Sequence, residues 1–145
     1  SGTFSVLDCP DWVNVIAFTE DQHILLIRQY RHGLGELTIE IPGGMADGGE
    51  DFVTAGLREL LEETGYAGDS AELIGVVAPN PAIQKNRCGT LLVSNCRRVS
   101  DGQLDEHEEI EVFLATLAEV QEMMRTGAIQ HALVLAAFQH LTLRG

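Results

Sequence analysis

Three glutamates crowd into the seven-residue stretch Leu57-Arg58-Glu59-Leu60-Leu61-Glu62-Glu63, and a fourth, Glu50, lies eight residues before Arg58. Val53, Leu57, Leu60 and Leu61 recur at helical spacing and predict a helix with those four on one face. On a 3.6-residue repeat Glu59, Glu62 and Glu63 then gather on the opposite face. Glu59 and Glu63 stand four apart, and such a like-charge pair costs a free helix about 0.2–0.5 kcal/mol. Only Arg58 is near enough to offset the three carboxylates. A solvated acidic face would account for this crowding in an arbitrary chain. Here Pro42-Gly43-Gly44 and Gly48-Gly49 precede the helix, so the backbone can bend back over the acidic face. Clustered carboxylate oxygens are hard ligands suited to Mg²⁺ or Mn²⁺, ions that also hold substrate phosphates. The matching chemistry is hydrolysis of a phosphoanhydride. A pyrophosphate repels a nucleophilic water, and divalent metals offset that charge and lower the pKa of a bound water.

The spacing is more specific than the cluster. Gly44, five residues, Glu50, seven residues, Arg58-Glu59-Leu60, one residue, Glu62-Glu63, one residue, then Gly65-Tyr66 resembles the complete Nudix box. Only the last apolar slot, held by Tyr66, is loose. The resemblance implies an α/β fold, a mixed β-sheet sandwiched between helices. It also implies that Glu59 and Glu63 ligate metal directly and that Glu62 ligates or positions a second ion. The Gly43 carbonyl is a further implied ligand. Arg58 would orient a glutamate, or pair with Glu62 at i,i+4, and both can hold at once. Glu50 would brace the loop, and Gly44 and Gly65 complete the structural frame.

Flanking segments narrow the substrate. Arg28-Gln29-Tyr30-Arg31 and Glu40-Ile41-Pro42-Gly43-Gly44 resemble the ADP-ribose pyrophosphatase and nucleoside diphosphate sugar hydrolase branch. Pro81, sixteen residues past Gly65, stands where that branch carries a proline, and Asn80-Pro81-Ala82 fits a loop bordering the nucleotide. The likeness continues through 104–110 and 127–129, and so covers nearly all of the chain after Trp12. It implies hydrolysis of ADP-ribose or a related nucleotide sugar to a nucleoside monophosphate and a sugar phosphate. A hydrolase of dinucleoside polyphosphates or oxidised nucleotides is the alternative within enzymes, and the flanks argue against it. A non-catalytic ADP-ribose sensor is the alternative outside them, and the intact set of box glutamates argues against that.

Six acids lie between Asp101 and Glu111. A charge run is ordinarily a solvated loop, but the resemblance implies that this one delivers a general base and another metal ligand. Glu106 and Glu108 match those roles, with Glu109 close enough to stand in for either. The cations available for an anionic substrate are Arg28, Arg31, Lys85 and Arg87. Arg31 is read either as a contact to phosphate or terminal sugar or as a strand-end surface residue. Glu40 belongs to the same substrate-binding set. Tyr30 is read as core. His32, His107 and His131 lack a spaced partner and are not expected to bind metal. Trp12 either stacks on a nucleobase or packs at a subunit interface, with the interface favoured.

Composition sets the outer bounds. A chain of 145 residues suffices for one domain with a real core. The net charge of −13, from nine basic against 22 acidic residues, supplies no basic stripe for long nucleic acid or an anionic membrane. No apolar run approaches the length of a membrane span. No secretory leader is visible, and Ser1-Gly2 reads as a tag remnant. Cys9, Cys88 and Cys96 are odd in number without CxxC spacing, which predicts reduced thiols in a cytoplasmic protein. Eleven residues precede Trp12, fewer than the swapped N-terminal extension that members of the resembled branch often carry. A homodimer is expected, with the subunit supplying the base pocket left open.

Strands are predicted over 12–18, 23–29, 36–41, 72–78, 89–99 and 110–116, and helices over 117–125 and 129–141, beside the box helix. Strands on both sides of an internal helix, with helices at the end, make a mixed sheet packed between helices. One local departure stands out. Ala55-Gly56 replaces the usual Ala-Ala of the branch, although a mid-helix glycine costs about 0.5–1 kcal/mol. Close backbone packing would explain it.

Overall fold

Val13 to Ala17 and Ile24 to Ile27 are buried without interruption rather than at alternate positions. Strands buried on both faces need cover on both faces, and the computed structural model, which describes residues 1–104, 106 and 109–144, supplies it. Odd-numbered Val13, Val15, Ala17 and Leu25 pack with Ala55 and Leu60 of the box helix. Even-numbered Ile16, Ile24 and Leu26 pack with Val120, Val134 and Phe138 of the C-terminal helices. This is the predicted mixed sheet between helices.

The elements are β1 (Trp12–Thr19), β2 (Ile24–Arg31), β3 (Glu36–Glu40), β4 (Gly43–Met45), α1 (Phe52–Thr64), β5 (Tyr66–Ala67), β6 (Ser70–Val77), β7 (Cys88–Arg98), β8 (Ile110–Ala115), α2 (Leu117–Thr126) and α3 (Ala132–Arg144). β1 lies parallel to β7, with Trp12 opposite Cys88, and antiparallel to β4, with Trp12 opposite Met45. β7 also carries β5 and β6 antiparallel. β2 is flanked by β3 and β8 and meets β1 where Phe18 pairs with Ile24. The N-terminal arm lies along the segment before β7, where Leu7 N–H donates to the Ile83 carbonyl at 2.7 Å.

Local chemistry sets the helix ends. Asp51 caps α1 by accepting from Thr54 N–H, and Thr116 with Glu119 forms a capping box on α2. α3 starts at Ala132 rather than at 129. His131 holds its first turn, with Nδ1 accepting from Leu133 N–H at 3.1 Å. The strands β4 and β5 were not anticipated, being three and two residues long.

The face assigned to α1 needs correction. Leu60 is fully buried, but Leu57 and Leu61 remain 37% and 40% exposed. The helix meets the sheet through Ala55 and Gly56 instead, because these small residues allow a closer approach than leucines would. A Cβ built on Gly56 would lie 2.7 Å from Leu91 Cδ2 and 3.3 Å from a methyl of each of Val13 and Val15. Those neighbours are themselves fully buried and cannot swing aside. Gly56→Ala should therefore destabilise the fold by about 1–2 kcal/mol. Overpacking of about 1–3 kcal/mol exceeds the 0.5–1 kcal/mol gained in helix propensity. A urea melt checks it, and a more stable variant would overturn the packing argument.

Candidate active site

β4 places two glycines directly over α1, because Asn14 and Val13 of β1 pair with Gly43 and Gly44. A cleft of about 450 Å³ opens there, and Glu59, Glu62 and Glu63 all line it together with Gly43, Gly44 and Arg58. Glu63 is 9% exposed and accepts a hydrogen bond from Gly43 N–H at 3.2 Å. The Glu59 carboxylate fills the space above Gly44, where a Cβ would come within 2.4 Å of it.

Arg58 holds the acidic groups in place. Its Nε and Nη2 each bond Glu50 at 2.9 Å, and its Nη1 reaches Glu59 at 3.0 Å and Glu62 at 3.1 Å. Nη2 also donates to the Met45 carbonyl at 3.0 Å and stands 3.5 Å from Asp47. Arg58 thus bridges Glu59 and Glu62, the second at the i,i+4 spacing. The hydrogen bonds to Glu50 lead in raising the Arg58 pKa further above its ordinary value. In return Arg58, with Asp47 N–H, holds Glu50 below the usual carboxylate range. Glu50 bonds Asp47 N–H at 2.8 Å and so ties the loop to the helix.

The donor chemistry fits a hard divalent cation: three carboxylates share one cleft, beneath glycines that leave it open. Among the described residues no three such side chains are already gathered into a closed ligand cluster, and Arg58 links Glu59 to Glu62 instead. Cys88 and Cys96 take no part. Burial pushes their thiols up to about 12 and, with help from Asp69, about 11, so both remain neutral.

Arg31 also lines this cleft, and it is held in place from behind. Its Nε and Nη2 bond the two carboxylate oxygens of Glu40, each at 2.7 Å. Glu40 is 3% exposed and also accepts from the Thr38 hydroxyl. Burial pushes the Glu40 pKa up. The bonds from Arg31 and Thr38, and the charges of Arg31 and His131, outweigh that and leave it lowered. A carboxylate with a lowered folded-state pKa stabilises the fold above its unfolded value, and that stability is lost as pH falls through the folded value. Glu40→Gln should cost about 2 kcal/mol at pH 7, since it leaves a partly buried arginine without its charge partner. The difference from wild type should shrink as pH drops below about 4.5. Thermal melts at pH 7 and pH 4 measure both terms, and an equal gap at the two values would contradict the ion pair.

The other expected substrate residues lie apart from this cleft. Arg28 faces away, paired with Glu111 at 2.9 Å and stacked 4.9 Å from the Phe113 ring centre. Pro81 is exposed in a turn closed by Gln84 N–H on the Asn80 carbonyl at 2.8 Å. Lys85 pairs with Asp8, and the exposed Arg87 is tied through its backbone to Asp11. Glu106 and Glu109 are exposed, whereas His107 and Glu108 lie outside the described residues. The segment entering that loop is fastened to the end of α1. Val99 and Ser100 N–H donate to the Gly65 carbonyl at 2.8 and 3.1 Å, and Gln103 N–H to the Glu62 carbonyl at 2.6 Å.

Tyr30 is 45% exposed, not core as expected, because β2 runs on past the packed part of the sheet. It lines a second cleft of about 730 Å³ that shares Trp12, Gln29 and Arg31 with the acidic one. Gln29 and His131 were not anticipated there. Trp12 reaches both clefts because β1 pairs with β4, which sets it opposite Met45, next to Gly44.

A family model described as NUDIX domain matches residues 10–138. The methanol dehydrogenase activator of Bacillus methanolicus is 31% identical over 136 residues, 93% of this chain and 74% of that protein. The ADP-ribose pyrophosphatase of Bacillus subtilis is 29% identical over the same shares. Among solved structures, one titled as an ADP compounds hydrolase superposes with a TM-score of 0.82. It covers 91% of this chain and 70% of that one at 20% identity, a likeness of fold.

Proposed function

The chain belongs to the Nudix family, and on that premise we propose that it cleaves the diphosphate of ADP-ribose or a related nucleoside diphosphate sugar. The carrying observation is that Glu59, Glu62 and Glu63 line one cleft together with Arg31, carboxylate oxygens of the kind divalent cations take beside a cation that Glu40 holds in place. The ADP-ribose pyrophosphatase among the relatives supports the substrate class. Water attacks one phosphorus, the bridging P–O bond breaks, and two phosphate monoesters leave.

Hydrolases of this family use divalent cations. Here Mg²⁺, with Mn²⁺ as substitute, would be held by Glu59, Glu63 and Glu62, with the Gly43 carbonyl and Glu108 completing the set. When bound, the metal neutralises phosphate charge and acidifies water. Arg58 orients Glu59 and Glu62, and Arg31 binds a phosphate oxygen through a guanidinium that Glu40 has already aimed. Glu106 accepts the proton of the attacking water. Arg28, committed to Glu111 and Phe113, has no part in this scheme, and neither Pro81 nor Arg87 is needed for it. A homodimer fits the exposed Leu57 and Leu61 on α1, and a reducing cytoplasm fits three cysteines that are all free. Among the described residues no helix is long and apolar enough to cross a membrane.

The test is release of phosphate monoesters from ADP-ribose, ADP-glucose, GDP-mannose, UDP-glucose, diadenosine polyphosphates and nucleoside triphosphates, with Mg²⁺ and with Mn²⁺. Metal-dependent cleavage of a diphosphate sugar supports the reading. Preference for a triphosphate or polyphosphate would replace it with a nucleotide-clearing role. A silent panel with measurable ADP-ribose binding would make the protein a sensor.

A further inference from the structure

Arg31 and Glu40 hold each other through a fork: Arg31 Nε bonds Glu40 Oε2 and Nη2 bonds Oε1, each at 2.7 Å. Such a fork fixes the two side chains relative to one another, but it does not fix the pair relative to the sheet. Both side chains are long and rich in rotamers, so the pair needs a third point of attachment. Thr38 supplies it. It stands two residues before Glu40 on β3 and therefore on the same face, and it is as fully buried as Glu40. Its hydroxyl lies within reach of Glu40 Oε2 and, at 3.2 Å, of the carbonyl of Gln29, its partner across the ladder. A hydroxyl has a single proton to give, and the closer, charged acceptor takes it. Threonine suits the place, because its branched Cβ keeps χ1 stiff. The imidazole of His131 also faces this carboxylate, but its Nε2 stands 3.9 Å away, beyond hydrogen-bond reach. Among the described residues, Arg31 and Thr38 are thus the side chains that bond Glu40.

We propose that Thr38 is a positioning residue for the diphosphate: its hydroxyl anchors the Glu40 carboxylate and through it aims the Arg31 guanidinium into the acidic cleft. The proposal rests on the diphosphate-sugar reading above for what Arg31 meets there. Arg31 lines the cleft of Glu59, Glu62 and Glu63, whereas Thr38 is buried behind the fork and does not line it. An arginine ordered before binding has less freedom to lose when a phosphate arrives. With the hydroxyl gone, the fork persists, but the pair can swing as one body on its two stems. The loss then falls on substrate binding, because the same phosphate contact is made from a looser start.

Two variants separate the hydroxyl from the methyl. Thr38→Val keeps the shape and removes the donor, and Thr38→Ser keeps the donor and removes a buried methyl. Thr38→Val should raise KM for ADP-ribose about tenfold, the worth of a hydrogen bond to a charged group, with kcat nearly unchanged. Thr38→Ser should hold KM near the wild-type value and lose melting temperature instead. A second readout needs no turnover. Phenylglyoxal labels accessible guanidinium groups, and peptide mass mapping should show Arg31 labelled several-fold faster in Thr38→Val than in the wild type or Thr38→Ser. Should Thr38→Val not fold, Thr38→Cys takes its place, since a thiol is a weak donor, and both rises are expected in smaller measure. An unchanged KM without the hydroxyl, an equal rise in Thr38→Ser, or unchanged labelling of Arg31 would each overturn the proposal. The two readings fail separately. Faster labelling of Arg31 in a protein that hydrolyses nothing would sink the enzyme and keep the anchor, whereas hydrolysis with a KM indifferent to the hydroxyl would sink the anchor alone.

Discussion

Glu63→Gln should lower hydrolysis of the diphosphate sugar by about 10³-fold or more while leaving the melting temperature of the metal-free protein nearly unchanged. The two halves have separate causes. Glutamine keeps an oxygen able to accept the Gly43 N–H that now reaches Glu63 at 3.2 Å, so the packing of β4 on α1 survives. It also removes one charge from the Glu59–Glu63 pair, a relief of a few tenths of a kcal/mol. What disappears is a negative oxygen donor in the cleft. Metal stabilisation of transition-state charge amounts to several kcal/mol, and each 1.36 kcal/mol is a factor of ten in rate. A ligand that binds only the folded protein raises its stability, so Mg²⁺ should raise the wild-type melting temperature and raise that of the variant less. Full activity in Glu63→Gln would remove the residue from the metal set. Lost activity accompanied by a collapsed melting temperature would mark it as structural.

The acidic face of α1 was legible because spacing alone brings Glu59, Glu62 and Glu63 together on a helix, and the cleft contains all three. The apolar face was misread for a physical reason. Periodicity counts large residues, while α1 approaches the sheet through Ala55 and Gly56, and Leu57 and Leu61 are left partly in solvent. Nor does charge predict burial here. Glu63 is covered because β4 lies over it and donates an N–H, and β4 is too short and glycine-rich to show a strand pattern. Arg28 and Arg31 looked equivalent in the sequence. They stand three apart on a strand and so point to opposite faces, but which face holds the cleft depends on Glu40 and Glu111, residues on neighbouring strands. The second cleft depends on contacts between distant parts of the chain, such as Asn14 with Leu133, which no local pattern encodes. Of the acidic run, Glu108 lies outside the described residues, and the metal-binding role proposed for it rests on the family resemblance.

Gly65→Ala should be strongly destabilising, costing about 3 kcal/mol or more from strain and overpacking together. Gly65 ends α1 in the left-handed conformation, at φ 76°, with its N–H bonded to the Leu61 carbonyl at 2.9 Å. A residue with a Cβ pays about 1–2 kcal/mol for that conformation alone. The steric term is larger, because the Cβ would stand 2.1 Å from the Ser100 carbonyl oxygen and 3.1 Å from Gly102 N. Both neighbours are backbone, and Val99 and Ser100 are bonded to the Gly65 carbonyl, so the clash is relieved only by prising the 99–103 segment off the helix. Gly127 is the natural control. It too ends a helix in the left-handed region, at φ 85°, but nothing lies within 4 Å of its Cβ position. Gly127→Ala should cost only the conformational share, about 1–2 kcal/mol. Comparing the two by thermal melts separates strain from crowding, and equal losses would mean that Ser100 does not press on the helix end. Catalysis should follow the crowding. The displaced segment bonds the Glu62 carbonyl through Gln103 and leads into the loop of Glu106, so Gly65→Ala should also lose activity below its melting point, while Gly127→Ala keeps it.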